Sequence, residues 1–134
     1  MEINDSAFGH LVFDYGWVGA HSLRLFEMTY DVVLRASAFE GECLSDSQRK
    51  AMESFSKRES EILAAAETEI RKYLGGGFED MSNMDIRKRI QPAELVFSYE
   101  GDVVLLCNTS YNDENDLGVR LLPTIQAGPQ STFL

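Results

Sequence analysis

Two histidines, two cysteines and twenty-two acidic residues are the groups in this 134-residue chain that could do acid–base, nucleophilic or metal chemistry. His10 and His21 fall beside neighbouring predicted strands, where Asp14 or Asp31 could complete a metal site. They lack a ligand-motif spacing, and a metal centre needs a third donor at defined geometry, so structural roles are expected and no metal is assigned. Cys43 stands next to Glu42, whose charge disfavours a thiolate, so nucleophilic catalysis by a Cys–His pair is the weaker reading. With no CxxC, Cys43 and Cys107 read as two buried thiols in a reducing cytoplasm.

Other patterns fall short of a site. Gly75-Gly-Gly77 follows a predicted helix instead of preceding one and has no lysine after it, so it ends that helix and does not cradle phosphate. Asp113-Glu-Asn-Asp-Leu-Gly118 has the oxygens and glycine of a calcium loop. Leu117 and Thr124, however, stand where an acid and a bidentate glutamate belong. Arg87-Lys-Arg89 is a short basic run without interleaved aromatics and reads as a solvated helical face. Trp17, beside an apolar strand, is assigned to the core.

The remaining acids are the informative group. Against twelve basic residues they leave a net charge of −10, which disfavours nucleic acid and anionic membranes as partners. The excess is uneven: residues 1–44 and 92–134 each carry −5, while 45–91 hold nine acids and nine bases. Glu40, Glu42, Glu100, Asp102, Asp113, Glu114 and Asp116 lie in predicted loops, and their summed field would steer a cationic partner. Tyr111 would add a rigid amphipathic anchor among them. The candidate partner-binding set is therefore Asp113, Glu114, Asp116, Tyr111, Glu100 and Asp102. Paired-carboxylate catalysis is disfavoured, because the acids sit in polar stretches that do not raise a carboxyl pKa.

The elements that must position these residues follow from local patterning. Apolar residues are 44% of the chain, the ordinary share for one globular domain, and a single domain over 1–134 is expected. The acidic N-terminus lacks the basic region of a secretory leader, and no run is long enough to span a membrane. Ser45-Asp-Ser-Gln48 fits a capping box opening a helix of about 28 residues, with a bend expected near Lys57–Ser60. Met52, Phe55, Ile62, Leu63, Ala66, Ile70 and Tyr73 form its apolar stripe, and Glu53–Lys57 and Glu67–Arg71 are candidate ion pairs. Asp85 would cap a short helix through Ile86 and Ile90, stopped before Pro92. Leu11–Tyr15, Ser22–Phe26 and Tyr30–Arg35 read as strands, with Leu11, Phe13 and Tyr15 on one face. Leu95–Tyr99 and Val103–Asn108 form a hairpin across Glu100-Gly101-Asp102, followed by Gly118–Leu122 and a last strand within 124–134. The expected fold is α+β: antiparallel strands, about three N-terminal and three or four C-terminal, with one long and one short helix packed on the sheet.

In this order, Phe8-Gly9-x-Leu11, Trp17, Tyr30-x-Val-x-Leu34, Ser45-x-x-Gln48, Leu95-x-Phe97, Asp116-Leu-Gly-Val119 and Ala127-Gly-Pro-Gln130 resemble a family of small bacterial α+β domains of unknown function. Similar small acidic proteins act as immunity proteins beside polymorphic or contact-dependent toxins. The resemblance supplies no catalytic residues. It implies a non-enzymatic cytoplasmic protein, without cofactor, that neutralises a basic toxin domain by occlusion. The alternatives are a small-molecule enzyme using a His–carboxylate site and a structural protein that dimerises through its long helix or an edge strand.

Overall fold

A computed structural model describes residues 1–109 and 116–133. Eight strands form one sheet in sequence order: β1 (Glu2–Asp5), β2 (Gly9–Phe13), β3 (Trp17–Leu25), β4 (Met28–Ala36), β5 (Ile90–Phe97), β6 (Val103–Thr109), β7 (Leu117–Leu122) and β8 (Gln126–Pro129). Every neighbouring pair is antiparallel except β4 and β5, which run parallel in the centre with Ala36 beside Phe97. Antiparallel neighbours can be joined by tight turns, whereas a parallel pair needs a crossover. That crossover carries the helices α1 (Asp46–Lys57), α2 (Glu59–Leu74) and α3 (Asn83–Arg87). The sheet is thus α+β as expected but larger, with four strands on each side of the helices.

Local chemistry explains the helix boundaries. The Ser45 hydroxyl accepts from the Gln48 amide at 3.0 Å, and the Gln48 side chain accepts from the Ser45 amide at 2.9 Å, closing the capping box. Arg58 leaves helical geometry (φ −123°, ψ 20°), so the expected long helix is two, divided inside the predicted bend. Gly75 ends α2 at φ +60°, a conformation cheap only for glycine. α2 touches β3 on one side and β7 and β8 on the other, so the sheet curls around it. Phe55, Ile62, Leu63, Ala66 and Ile70 are buried there, while Tyr73 is exposed and is not part of the stripe.

Several expectations are corrected by tertiary structure. Glu67 and Arg71 do not pair. Glu67 Oε2 accepts from the Phe26 amide at 3.0 Å, and Arg71 donates to the carbonyls of Phe78 and Met81. Phe26 and Glu27, both at positive φ, form the β3–β4 turn; the Phe26 carbonyl accepts from Arg87, so Arg87 is not a free solvated base. Nor do Glu53 and Lys57 form an ion pair. Ser82, not Asp85, caps α3, and Ile90 and Pro92 belong to β5, where a bulge between Pro92 and Glu94 accommodates a residue without an amide proton. Tyr15 lies in the turn after β2 at φ +54° and points away from the face of Leu11 and Phe13. Cys43 is exposed, and only Cys107 is buried. No helix among the described residues is long and apolar enough to cross a membrane.

Candidate functional site

The sheet changes direction of chain flow where β4 and β5 lie parallel. At their carboxyl ends the two strands lead away in different directions, into the 37–44 loop and into the β5–β6 turn, the kind of place where open sheets leave a crevice. Gln48, fully buried, fills the inner side of this opening and donates to the carbonyls of Ser37 (2.8 Å) and Phe97 (3.2 Å). Above it lies a groove of about 460 Å³ lined by Tyr15, Ser37, Ala38, Phe39, Glu42, Ser98, Tyr99 and Glu100.

Three aromatic rings stand out of this groove into solvent: Tyr15 is 93% exposed, Phe39 83% and Tyr99 43%. Each is carried on backbone that the fold holds in place. Arg35 donates to the carbonyls of Asp14 (2.9 Å) and Tyr15 (3.4 Å) while its Nε binds Glu94 at 2.7 Å, pinning the turn that holds Tyr15 in the left-handed region. The Phe39 amide donates to Glu42 Oε1 at 2.6 Å, and Trp17 Nε1 donates to the Glu42 carbonyl at 3.0 Å, tying the loop to the core. The Tyr99 carbonyl accepts from the Ser45 hydroxyl at 2.6 Å. An exposed ring on fixed backbone loses little conformational entropy when it meets a partner, which suits it to anchor one.

The electrostatics are one-sided. Asp14 and Glu40 line a cavity of about 530 Å³ that shares Tyr15, Ala38 and Phe39 with the groove, and Asp102 follows Glu100 in the β5–β6 turn. Among the described residues, no lysine or arginine lines either cavity. The nearest cation in the turn network, Arg35, is already paired with Glu94. Four carboxylates, Asp14, Glu40, Glu42 and Glu100, therefore border an aromatic surface without a compensating charge, while Asp102 lines a neighbouring cavity with Arg120.

Of the residues expected to bind a partner, Glu100 and Asp102 lie at this end of the sheet together with Glu40 and Glu42. Asp116 does not: it sits at the far end of β6, roughly 20 Å away at the usual rise per strand residue. There it has a structural task, accepting from the amide and hydroxyl of Thr109 at 3.2 Å each. Tyr111, Asp113 and Glu114 lie outside the described residues. Sequence reasoning missed Tyr15, Phe39 and Tyr99, and did not place Asp14 among the partner-binding acids. The legible signal was Tyr15 before Gly16 and Phe39 in a loop without periodicity, positions where an apolar ring has no core face to join.

The histidines lie on opposite faces of the sheet. His10 is exposed near Asn4 and Glu2, whereas His21 faces the helices, 3.1 Å from Glu59 and against the Phe55 ring. They cannot share a metal, and no group of three or more metal-ligating side chains occurs among the described residues. Burial and then the nearby Asp116 charge push the Cys107 thiol up to about 12, which suits a core side chain and not a nucleophile. Comparison of the chain with protein-family models, curated proteins and solved structures finds no significant match.

Proposed function

We propose that the protein is a non-enzymatic binding module of the immunity type, which occludes a basic toxin domain with the surface at the carboxyl ends of β4 and β5. The observation that carries this reading is the trio of exposed rings, Tyr15, Phe39 and Tyr99, on pinned backbone inside a border of unpaired carboxylates. Rings of this kind make the desolvated centre of an interface, and the carboxylates around them steer a cationic partner and select against anionic ones. Occlusion requires no chemistry from the protein: it covers the lysines and arginines that the partner uses elsewhere.

The test is whether a reading frame beside the gene encodes a basic domain that binds this protein, measured by association and dissociation rates; a neighbourhood without one, or one that does not bind, would overturn the reading. Tyr15→Ala and Phe39→Ala should each weaken binding about tenfold or more, mainly by faster dissociation. The triple change Glu40→Lys, Glu100→Lys, Asp102→Lys should slow association roughly ten- to a hundredfold at low salt and flatten its salt dependence. Unchanged rates in both sets would overturn the assignment of this surface, and turnover of a small molecule by the purified protein would overturn the non-enzymatic reading.

A further inference from the structure

The aromatic groove does not end at Tyr99. Ser37 and Ser98, which line it, also line a second cavity of about 420 Å³ with Val96, Asp102, Val104, Arg120, Thr132 and Phe133. This cavity lies on the sheet face that the helices leave open. Val96 pairs with Val104 and Val104 with Arg120, so the three make one row across β5, β6 and β7. The Phe133 ring forms a wall, lying so close over Gly118 that a Cβ there would meet it at 2.8 Å. Together the cavities make a continuous trench from the rings over the strand ends onto the open face.

The two ends of this trench differ in charge. Carboxylates alone border the ring end, whereas the other holds Arg120, with Asp102 in the same cavity. Arg120 is held, among the described residues, by neutral acceptors alone: the Thr124 carbonyl (3.0 Å), the Thr124 hydroxyl (2.8 Å) and Gln126 Oε1 (3.1 Å). Among the described residues it has no carboxylate partner in an ion pair, unlike Arg35 in the same row, and its Nη1 makes no hydrogen bond. A guanidinium oriented by neutral groups keeps its full charge for an anionic ligand group.

Resting on the binding-module reading, we infer that the trench takes an extended segment of the partner, with its basic residues among Tyr15, Phe39 and the carboxylates and an acidic side chain on Arg120. The apolar floor of Val96 and Val104 and the Phe133 wall receive the side chains between. Charge complementarity along the trench argues for a segment of mixed charge order rather than a uniformly basic one.

A phage-displayed random peptide library panned on the full chain tests this, with selected peptides resynthesised for affinity measurement. The expected peptides carry arginine or lysine toward one end and aspartate or glutamate toward the other. Arg120→Gln should weaken them about tenfold, and replacing the peptide's acid by its amide should cost the same in the wild type but nothing further in Arg120→Gln. Val96→Lys, which fills the floor from β5, two strands away from Arg120, should also abolish most binding, so a loosened β7–β8 pair in Arg120→Gln cannot account for the result. Failure to select peptides, selection of peptides without an acid, or indifference to Arg120→Gln and Val96→Lys overturns the inference. If those two variants are silent while Tyr15→Ala and Phe39→Ala reduce partner binding, the binding-module reading survives alone; if Tyr15→Ala, Phe39→Ala and the triple charge reversal all leave partner binding unchanged, that reading falls as well.

Discussion

Gln48 reaches across the carboxyl ends of the two parallel strands and donates to the Phe97 carbonyl at 3.2 Å, with the same amide nitrogen 2.8 Å from the Ser37 carbonyl. Its Oε1 meanwhile completes the α1 capping box. One buried amide thus joins the helix start to both strands that bear the groove. Gln48→Ala should destabilise the protein by about 2–4 kcal/mol, because it removes the side-chain donor to the Ser37 carbonyl, leaves the Phe97 carbonyl with the Ser37 amide alone, and opens a cavity. A denaturant midpoint that does not move would show that the strand ends hold themselves.

Asp5 couples the β1–β2 turn to α1. Burial works to raise its pKa, but the Arg49 guanidinium at 2.9 Å and the amides of Ala7 and Phe8 outweigh it and hold the carboxyl below its ordinary 3.8. A depressed native pKa contributes stability that is present above the unfolded value and lost as pH falls through the native one. Asp5→Asn should therefore cost on the order of 1–2 kcal/mol at neutral pH, and the gap to wild type should close as pH falls below 3.8. Unfolding curves across that range check it; a gap that stays constant with pH would contradict the assignment.

The two thiols should behave differently. Cys43 is exposed, while Cys107 is buried with its pKa raised to about 12. Native protein at mildly alkaline pH should take up one equivalent of an alkylating reagent at Cys43, and unfolded protein two, as read by mass spectrometry. Because the unfolded thiol ionises near its ordinary 9.0, Cys107 also predicts stability that declines as pH rises from there toward 12.

Gly101 sits at φ +100°, and a Cβ on it would meet the Ser47 carbonyl oxygen at 2.9 Å. Gly101→Ala should cost about 1–3 kcal/mol, because a strained backbone is combined with a close approach to the first turn of α1. It should also weaken partner binding, since the turn carries Glu100 and Asp102. Wild-type stability in this variant would mean that the turn relaxes freely.

Features built from neighbouring residues were legible in the sequence. The Ser45–Gln48 capping box, the break near Arg58, the Gly75 stop and the Gly101 hairpin all depend on groups a few residues apart, and all appear in the fold. Strands whose identity depends on neighbours were harder to read. β1, with the polar sequence Glu-Ile-Asn-Asp, shows no alternation and is a strand because β2 offers its edge. β3 runs on through Gly19, where a Cβ would collide with Leu11 Cδ2 at 2.8 Å, so glycine there admits a neighbouring side chain and does not mark a turn.

By itself the sequence determined the acidic excess, its absence from the middle segment, the start of α1, the end of α2 and most of the apolar set that packs between helices and sheet, because composition and short-range periodicity decide those. Only the tertiary structure decided which acids meet. The parallel pairing of β4 with β5 carries Tyr15, Phe39, Glu42, Tyr99 and Glu100, from three separate stretches of chain, to one end of the sheet, and β6 keeps Asp116 at the other. Strand partners far apart in sequence are chosen by how the whole core closes, and no local pattern encodes that choice.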